Sequence, residues 1–230
     1  MISLPEFLEE NANEFNTIYY PGSHTDYSVM ELFAEYAEVS NIYYADYGEE
    51  MKEYGLATFS NIDYLEECES TFCNYHLKDL VVLKPQDLNK NSWSDFWPDN
   101  LESKEFGKPE NGWGISVKMK CHSEWFSFIY LGTEGIQTAK VLLSNNIIPD
   151  VIVLQEHGCG DNWSHFGGAS SPLYHAMQEH LPEYILMEPD SNTEIWPGYI
   201  QVTEPYLPPP GRARPQHANA RALFRKYSSD

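Results

Sequence analysis

The stretch 151–168, VIVLQEHGCGDNWSHFGG, joins two kinds of sequence whose meeting narrows the choice of fold. Its first four residues, Val151, Ile152, Val153 and Leu154, form an apolar run without polar alternation, the composition of a strand buried on both faces. Strands of that kind belong to parallel sheets covered by helices, and they deliver functional groups at their carboxyl ends. The run stops at Gln155. Glu156, His157, Cys159, Asp161, Asn162, Trp163 and His165 then follow, spaced by Gly158 and Gly160 and closed by Gly167 and Gly168. The segment therefore predicts an α/β fold whose acting edge carries this loop.

The rest of the chain supports that class. Thr17 to Tyr20 reads as a strand broken at Pro21-Gly22-Ser23. Val29, Leu32, Phe33 and Tyr36 then recur at helical spacing, with Asp26 or Ser28 placed to cap the helix. Ile42 to Ala45 reads as a second strand ending at Asp46, which completes a βαβ unit of the kind that builds parallel sheets. Leu80 to Leu83 reads as a buried strand. The segment 89–112 is rich in Asn, Asp, Pro and Gly and reads as an insertion or lid-like loop. A second unit follows: strands at 114–120 and 125–131, a turn at Gly132-Thr133-Glu134-Gly135, a helix over 136–143 and the Val151 strand. A helix is expected over 172–181, a strand over 184–187, and an extended proline-rich tail over 205–230 that ends in a short helix over 218–226. The expectation is one α/β domain over 1–230, a mostly parallel Rossmann-like sheet flanked by helices.

Two groups of residues carry the chemistry. The first is the turn Pro21 to Asp26 together with Asp46. A glycine there lets a ligand approach the backbone, a following helix start offers N–H groups, and a carboxylate after the neighbouring strand can accept from ribose hydroxyls. In Ile18-Tyr19-Tyr20-Pro21-Gly22-Ser23 and Tyr44-Ala45-Asp46 the chain resembles the Rossmann-like fold of S-adenosylmethionine-dependent methyltransferases, over about its first fifty residues. The resemblance implies S-adenosylmethionine as cofactor, with the Gly22, Ser23 and Asp26 turn on its methionine part and Asp46 on its ribose. An ordinary βαβ turn, with Asp26 as a helix cap, is the competing reading of the same residues.

The second group is the 155–168 loop with Glu134. His157 is a candidate general base because imidazole titrates near neutrality; a histidine bonded to loop backbone fits equally. Glu134 is placed as a base, as a ligand for a hydroxyl, or as an acidic first-turn residue favoured by the helix dipole. Asn162, Trp163 and Phe166 offer amide recognition and stacking for a small molecule, or anchor the loop to the sheet, and Gln155, Asp161, Asn162 and Trp163 are the candidate substrate contacts. His157, Asp161 and His165 share a four-residue spacing, but Gly158 and Gly160 deny them a helix, so no metal site is expected. Nucleophile-elbow, phosphate-loop, zinc-protease and kinase motifs do not occur.

Charge excludes one class of partner. The 35 acidic residues against 14 basic ones give a formal net charge of −21, which repels a phosphate backbone. The only basic cluster is Arg212, Arg214, Arg221, Arg225 and Lys226 in the tail. The same acidity supports an alternative function: a non-catalytic interaction protein, of immunity or anti-defence type, that masks a basic protein partner. Cys68, Cys73, Cys121 and Cys159 form no CxxC pair, and the acidic amino terminus is unlike a signal peptide. No apolar run approaches the roughly 20 residues of a membrane helix. A cytoplasmic protein without membrane contact is expected.

Overall fold

The computed structural model describes residues 1–23, 26–45, 76–83, 114–120, 124–131, 135–154, 167–189, 194–208 and 220–227. The expected insertion at 89–112, the four cysteines and most of the 155–168 loop lie outside them. Within them, nine strands form one sheet: β1 (Thr17–Pro21), β2 (Asn41–Ala45), β3 (His76–Leu83), β4 (Gly114–Lys120), β5 (Trp125–Leu131), β6 (Val151–Leu154), β7 (Tyr184–Met187), β8 (Tyr199–Gln201) and β9 (Ala222–Lys226). Their order across the sheet is β3-β4-β5-β2-β1-β6-β7-β9-β8.

The five central strands, β5-β2-β1-β6-β7, are mutually parallel. Their residues are buried on both faces, as a sheet covered by helices on each side requires. On one face Ile18, Tyr20, Ile42, Tyr44, Val151 and Val153 pack against α1 (Leu4–Glu10) and α2 (Ser28–Tyr36). The alternate residues Tyr19, Tyr43, Ile152 and Leu154 pack on the other face against α3 (Gly135–Ser144) and α4 (Pro172–Met177). Local signals set the helix ends. Ser3 and Glu6 form a reciprocal capping box on α1, and the bonds from Ser3 hold the Glu6 carboxyl below its usual range.

Two expectations are corrected. The sheet is mixed rather than mostly parallel, because β3 and β4 add antiparallel to β5 while β9 and β8 add antiparallel beyond β7. Where a helix is expected over 218–226, Ala222–Lys226 form strand β9. Ala, Arg, Leu and Lys favour helix in isolation, but here Ala222 to Arg225 pair with Met187 to Tyr184, and tertiary pairing overrides the weak local preference. Leu223 enters one core cluster and Phe224 packs against the other, the two-residue alternation of a strand. The three-residue strand β8 was not anticipated.

Leu223 is fully buried between the sheet and α1 and α2. Leu223→Ala is expected to lower the unfolding free energy by about 2–5 kcal/mol in a urea titration. A loss below about 0.5 kcal/mol, the range of surface substitutions, would contradict a core position for β9.

Candidate functional site at the carboxyl edge of the sheet

Because the central strands are parallel, Pro21, Ala45, Leu131, Leu154 and Met187 all end at one edge. β1 and β6 are neighbours there, yet their outgoing connections diverge. From β1 the chain passes through α2 on one face, and from β6 through α4 on the other. Open α/β sheets bind ligands in the crevice such a divergence leaves. The Gly22 turn and the start of the 155–168 loop thus leave adjacent strands at the same edge.

The turn is built tightly. Gly22 adopts a φ of +62°, a left-handed conformation that L side chains resist. The buried Ser23 donates its backbone N–H to the Ala45 carbonyl at 3.1 Å, folding the turn back onto the end of β2. Asp26 is also buried, and its carboxylate is the hub of a polar network. Arg221 Nη2 donates to Asp26 Oδ2 at 2.5 Å, and the Tyr20 hydroxyl donates to the same oxygen at 3.0 Å. Ser28 donates to Asp26 Oδ1 with its backbone N–H at 3.1 Å and its hydroxyl at 2.5 Å. Arg221 Nη1 in turn donates to Ser28 Oγ at 2.8 Å. The two-pronged guanidinium thereby serves both the carboxylate and the serine.

Tyr44 completes the arrangement. Its hydroxyl donates to the Asp26 carbonyl at 2.8 Å and accepts the Met30 N–H at 3.1 Å. Two N–H groups of the first turn of α2 are therefore bound by protein groups rather than turned toward a ligand. Beneath them lies an aromatic cluster: Tyr20 and Tyr44 meet edge to face at 5.1 Å, Tyr27 stacks on Tyr44 at 6.2 Å, and Phe128 meets Tyr44 at 5.0 Å. Burial, reinforced by the Asp26 carboxylate, pushes the Tyr20 and Tyr44 hydroxyls well above their usual titration range, so both remain neutral donors. Burial opposes the charge of Arg221, but the negative charge around it, chiefly the facing Asp26 carboxylate, more than offsets this, and the Arg221 pKa moves up.

The structure brings Gly22, Ser23 and Asp26 together in the turn. Asp46, Glu134, Gln155, His157, Asp161, Asn162 and Trp163 lie outside the described residues. Asp46 directly follows Ala45, and Gln155 directly follows Leu154, at the carboxyl edge. The far end of the long loop is anchored where Gly168, at a φ of +72°, donates its N–H to the Glu194 carbonyl at 2.7 Å. On the other face Tyr19 donates its hydroxyl to the Gly135 carbonyl, fixing the start of α3 beside β1. Among the described residues no group of three or more His, Cys, Asp or Glu is arranged to hold a metal ion, and no helix is long and apolar enough to cross a membrane.

Sequence reasoning missed Arg221, which stands in the basic tail by composition but is buried in the structure. A signal was present: in Ala218-Asn219-Ala220-Arg221-Ala222-Leu223 one cation stands among small and apolar residues. The repeated Ile-Tyr-Tyr of 18–20 and 42–44 was another. Parallel pairing sets Tyr20 opposite Tyr44, with both hydroxyls directed to Asp26. No protein-family model, curated protein or solved structure matches this chain.

Arg221→Met strands a buried carboxylate and is expected to cost about 3–5 kcal/mol. Adding Asp26→Asn removes the stranded charge, so the double variant should be more stable than Arg221→Met alone. Urea titrations at pH 7 measure both, and a double variant that is less stable would contradict the pairing as the source of the cost.

Proposed function

We propose that this protein is Rossmann-like and binds a small nucleoside ligand of the S-adenosylmethionine type at the carboxyl ends of β1, β2 and β6. The observation that carries the reading is the strand order. Taken along the chain, the parallel strands lie third, second, first, fourth, fifth, the order of the doubly wound nucleotide-binding sheets. The positive-φ Gly22 turn falls at the divergence of β1 and β6, where that order leaves its crevice. It matches the resemblance carried by Ile18 to Ser23 and Tyr44 to Asp46.

The donor set favours a ligand without phosphate. Dinucleotide sites set a pyrophosphate on the free N–H groups of the first helix. In α2 the Ser28 and Met30 N–H groups are bound by Asp26 and Tyr44, and the net charge of −21 adds repulsion. A sulfonium nucleoside meets neither obstacle. In this reading Gly22 and Ser23 hold the methionine part, Asp46 accepts from the ribose, and Gln155, Asp161, Asn162 and Trp163 contact the base or a second substrate. Asp26 acts behind them, as support for the turn rather than as a contact. When bound, the cofactor supplies an activated methyl group; His157 and Glu134 are the candidates to move a proton from the acceptor.

A second reading, an acidic protein that masks a basic partner, draws on a cavity of about 310 Å³ at the opposite edge, lined by Glu9, Glu35, Glu38 and Glu124 with Ala34 and Phe126. One screen separates the two. S-adenosylmethionine and S-adenosylhomocysteine are expected to raise the melting temperature, with stabilisation near about 2.7 kcal/mol at a hundredfold excess over Kd, whereas NAD is not. Asp46→Ala should abolish the shift. Stabilisation by poly-lysine alone, lost in about 1 M salt where charges are screened beyond ~3 Å, would transfer support to the second reading.

A further inference from the structure

The buried network does more than tie two elements together: it hands control of the first turn to the residue that leads into the last strand. Arg221 stands just before β9, and Asp26 lies between β1 and α2, 195 residues earlier in the sequence. Three side chains at the turn answer to this one guanidinium. It bonds Asp26 and Ser28 directly, and Tyr20 shares its acceptor oxygen. The Asp26 and Ser28 groups it fixes also set the start of α2, through the Ser28 N–H and through the Tyr44 hydroxyl between the Asp26 carbonyl and the Met30 N–H. Among the described residues, Ser23 donates its N–H at 3.1 Å and its hydroxyl at 3.4 Å to the Ala45 carbonyl, and Asp26 donates its N–H to the Ser23 carbonyl at 3.1 Å. That last bond ties the turn to the residue that Arg221 holds.

We propose that Arg221 is a positioning residue for the candidate site, holding the Gly22–Ser23 turn in its ligand-ready form through Asp26 and Ser28, so that ligand capture at β1 depends on the residue that leads into β9. The ligand half of this inference rests on the function proposed above; the mechanical half does not.

Amide hydrogen exchange on the full chain tests the mechanical half. The reporters are the N–H groups of Ser23, Ser28 and Met30, compared with those of the central strands β6 and β7. Arg221→Lys keeps a charge but loses the fork that reaches both partners, and Ser28→Ala removes the hydroxyl bridging Arg221 to Asp26. Both perturb the pair less than Arg221→Met, which removes the charge altogether. Each is expected to speed exchange at the three reporters by about tenfold or more while β6 and β7 change little. Leu173→Ala, at a buried position of α4 on the other face, serves as the control and should act broadly rather than at the turn. Reporter exchange that is unchanged, or that rises only in step with β6 and β7 as in the control, overturns the proposal.

Calorimetry with S-adenosylhomocysteine tests the ligand half. Arg221→Lys and Ser28→Ala should weaken binding about tenfold or more, and Leu173→Ala should not. Faster exchange at the turn with undiminished affinity would overturn the positioning role. If the unaltered protein binds no S-adenosylhomocysteine, the nucleoside reading falls, and the exchange data alone decide whether Arg221 holds the turn.

Discussion

Taking a guanidinium and a carboxylate out of water costs several kcal/mol for each, and the cost is met only when the pair is closely matched and its remaining groups are bonded. Arg221 and Asp26 are 2% and 1% exposed; Tyr20 and Ser28 bond the two carboxylate oxygens, and Ser28 Oγ accepts from Arg221 Nη1. The pair forms only when β9 lies antiparallel beside β7, when β6 and β1 are neighbours, and when the chain turns back after Pro21 to start α2. The arrangement of the carboxyl edge therefore follows from this contact: the hydroxyls of both Ile-Tyr-Tyr strands, the start of α2 and the glycine turn are all placed around it.

The same contact decides what the edge can bind. A helix start is normally a place for anions, because its first N–H groups are unpaired and its dipole is positive there. Here Asp26 and Tyr44 bind two of those groups, the N–H of Ser28 and of Met30. In the proposed reading a ligand meets the backbone of the Gly22 turn and the residues that follow β2 and β6 in the sequence, a donor set for hydroxyls, amides and a cation rather than for phosphate. The strongly acidic composition, which argues against nucleic acid, is compatible with it.

The parts of the fold legible in the sequence were those where local pattern and tertiary need agree. Val151 to Leu154, Ile42 to Ala45 and Tyr184 to Met187 are apolar on both faces because both faces are covered, and their strand character shows without context. The βαβ unit around Pro21-Gly22-Ser23 was legible for the same reason. β9 was not, since Ala, Arg, Leu and Lys prefer helix until a neighbouring strand offers a ladder. Of the candidate site, the turn and its place at the carboxyl edge were readable, while the partner of Asp26 was not. Sequence places Asp26 beside a helix start, which suggests a cap; in the structure Tyr27 holds the N-cap position, and Asp26, one residue before it, accepts the Ser28 N–H. Nothing in its neighbourhood names a cation 195 residues away. Long-range ion pairs leave only a weak trace, here a lone Arg within an alanine-rich segment.

The central claim, that the crevice between the carboxyl ends of β1 and β6 is the binding site, is tested most directly by a crystal structure of the protein grown with S-adenosylhomocysteine. The account predicts ligand density over Gly22 and Ser23, with its ribose toward the residue after Ala45 and the Asp26–Arg221 pair intact behind it. Ligand seated instead in the acidic cavity beside Glu35 and Glu124, or a carboxyl edge with no ligand under saturating conditions, would contradict it.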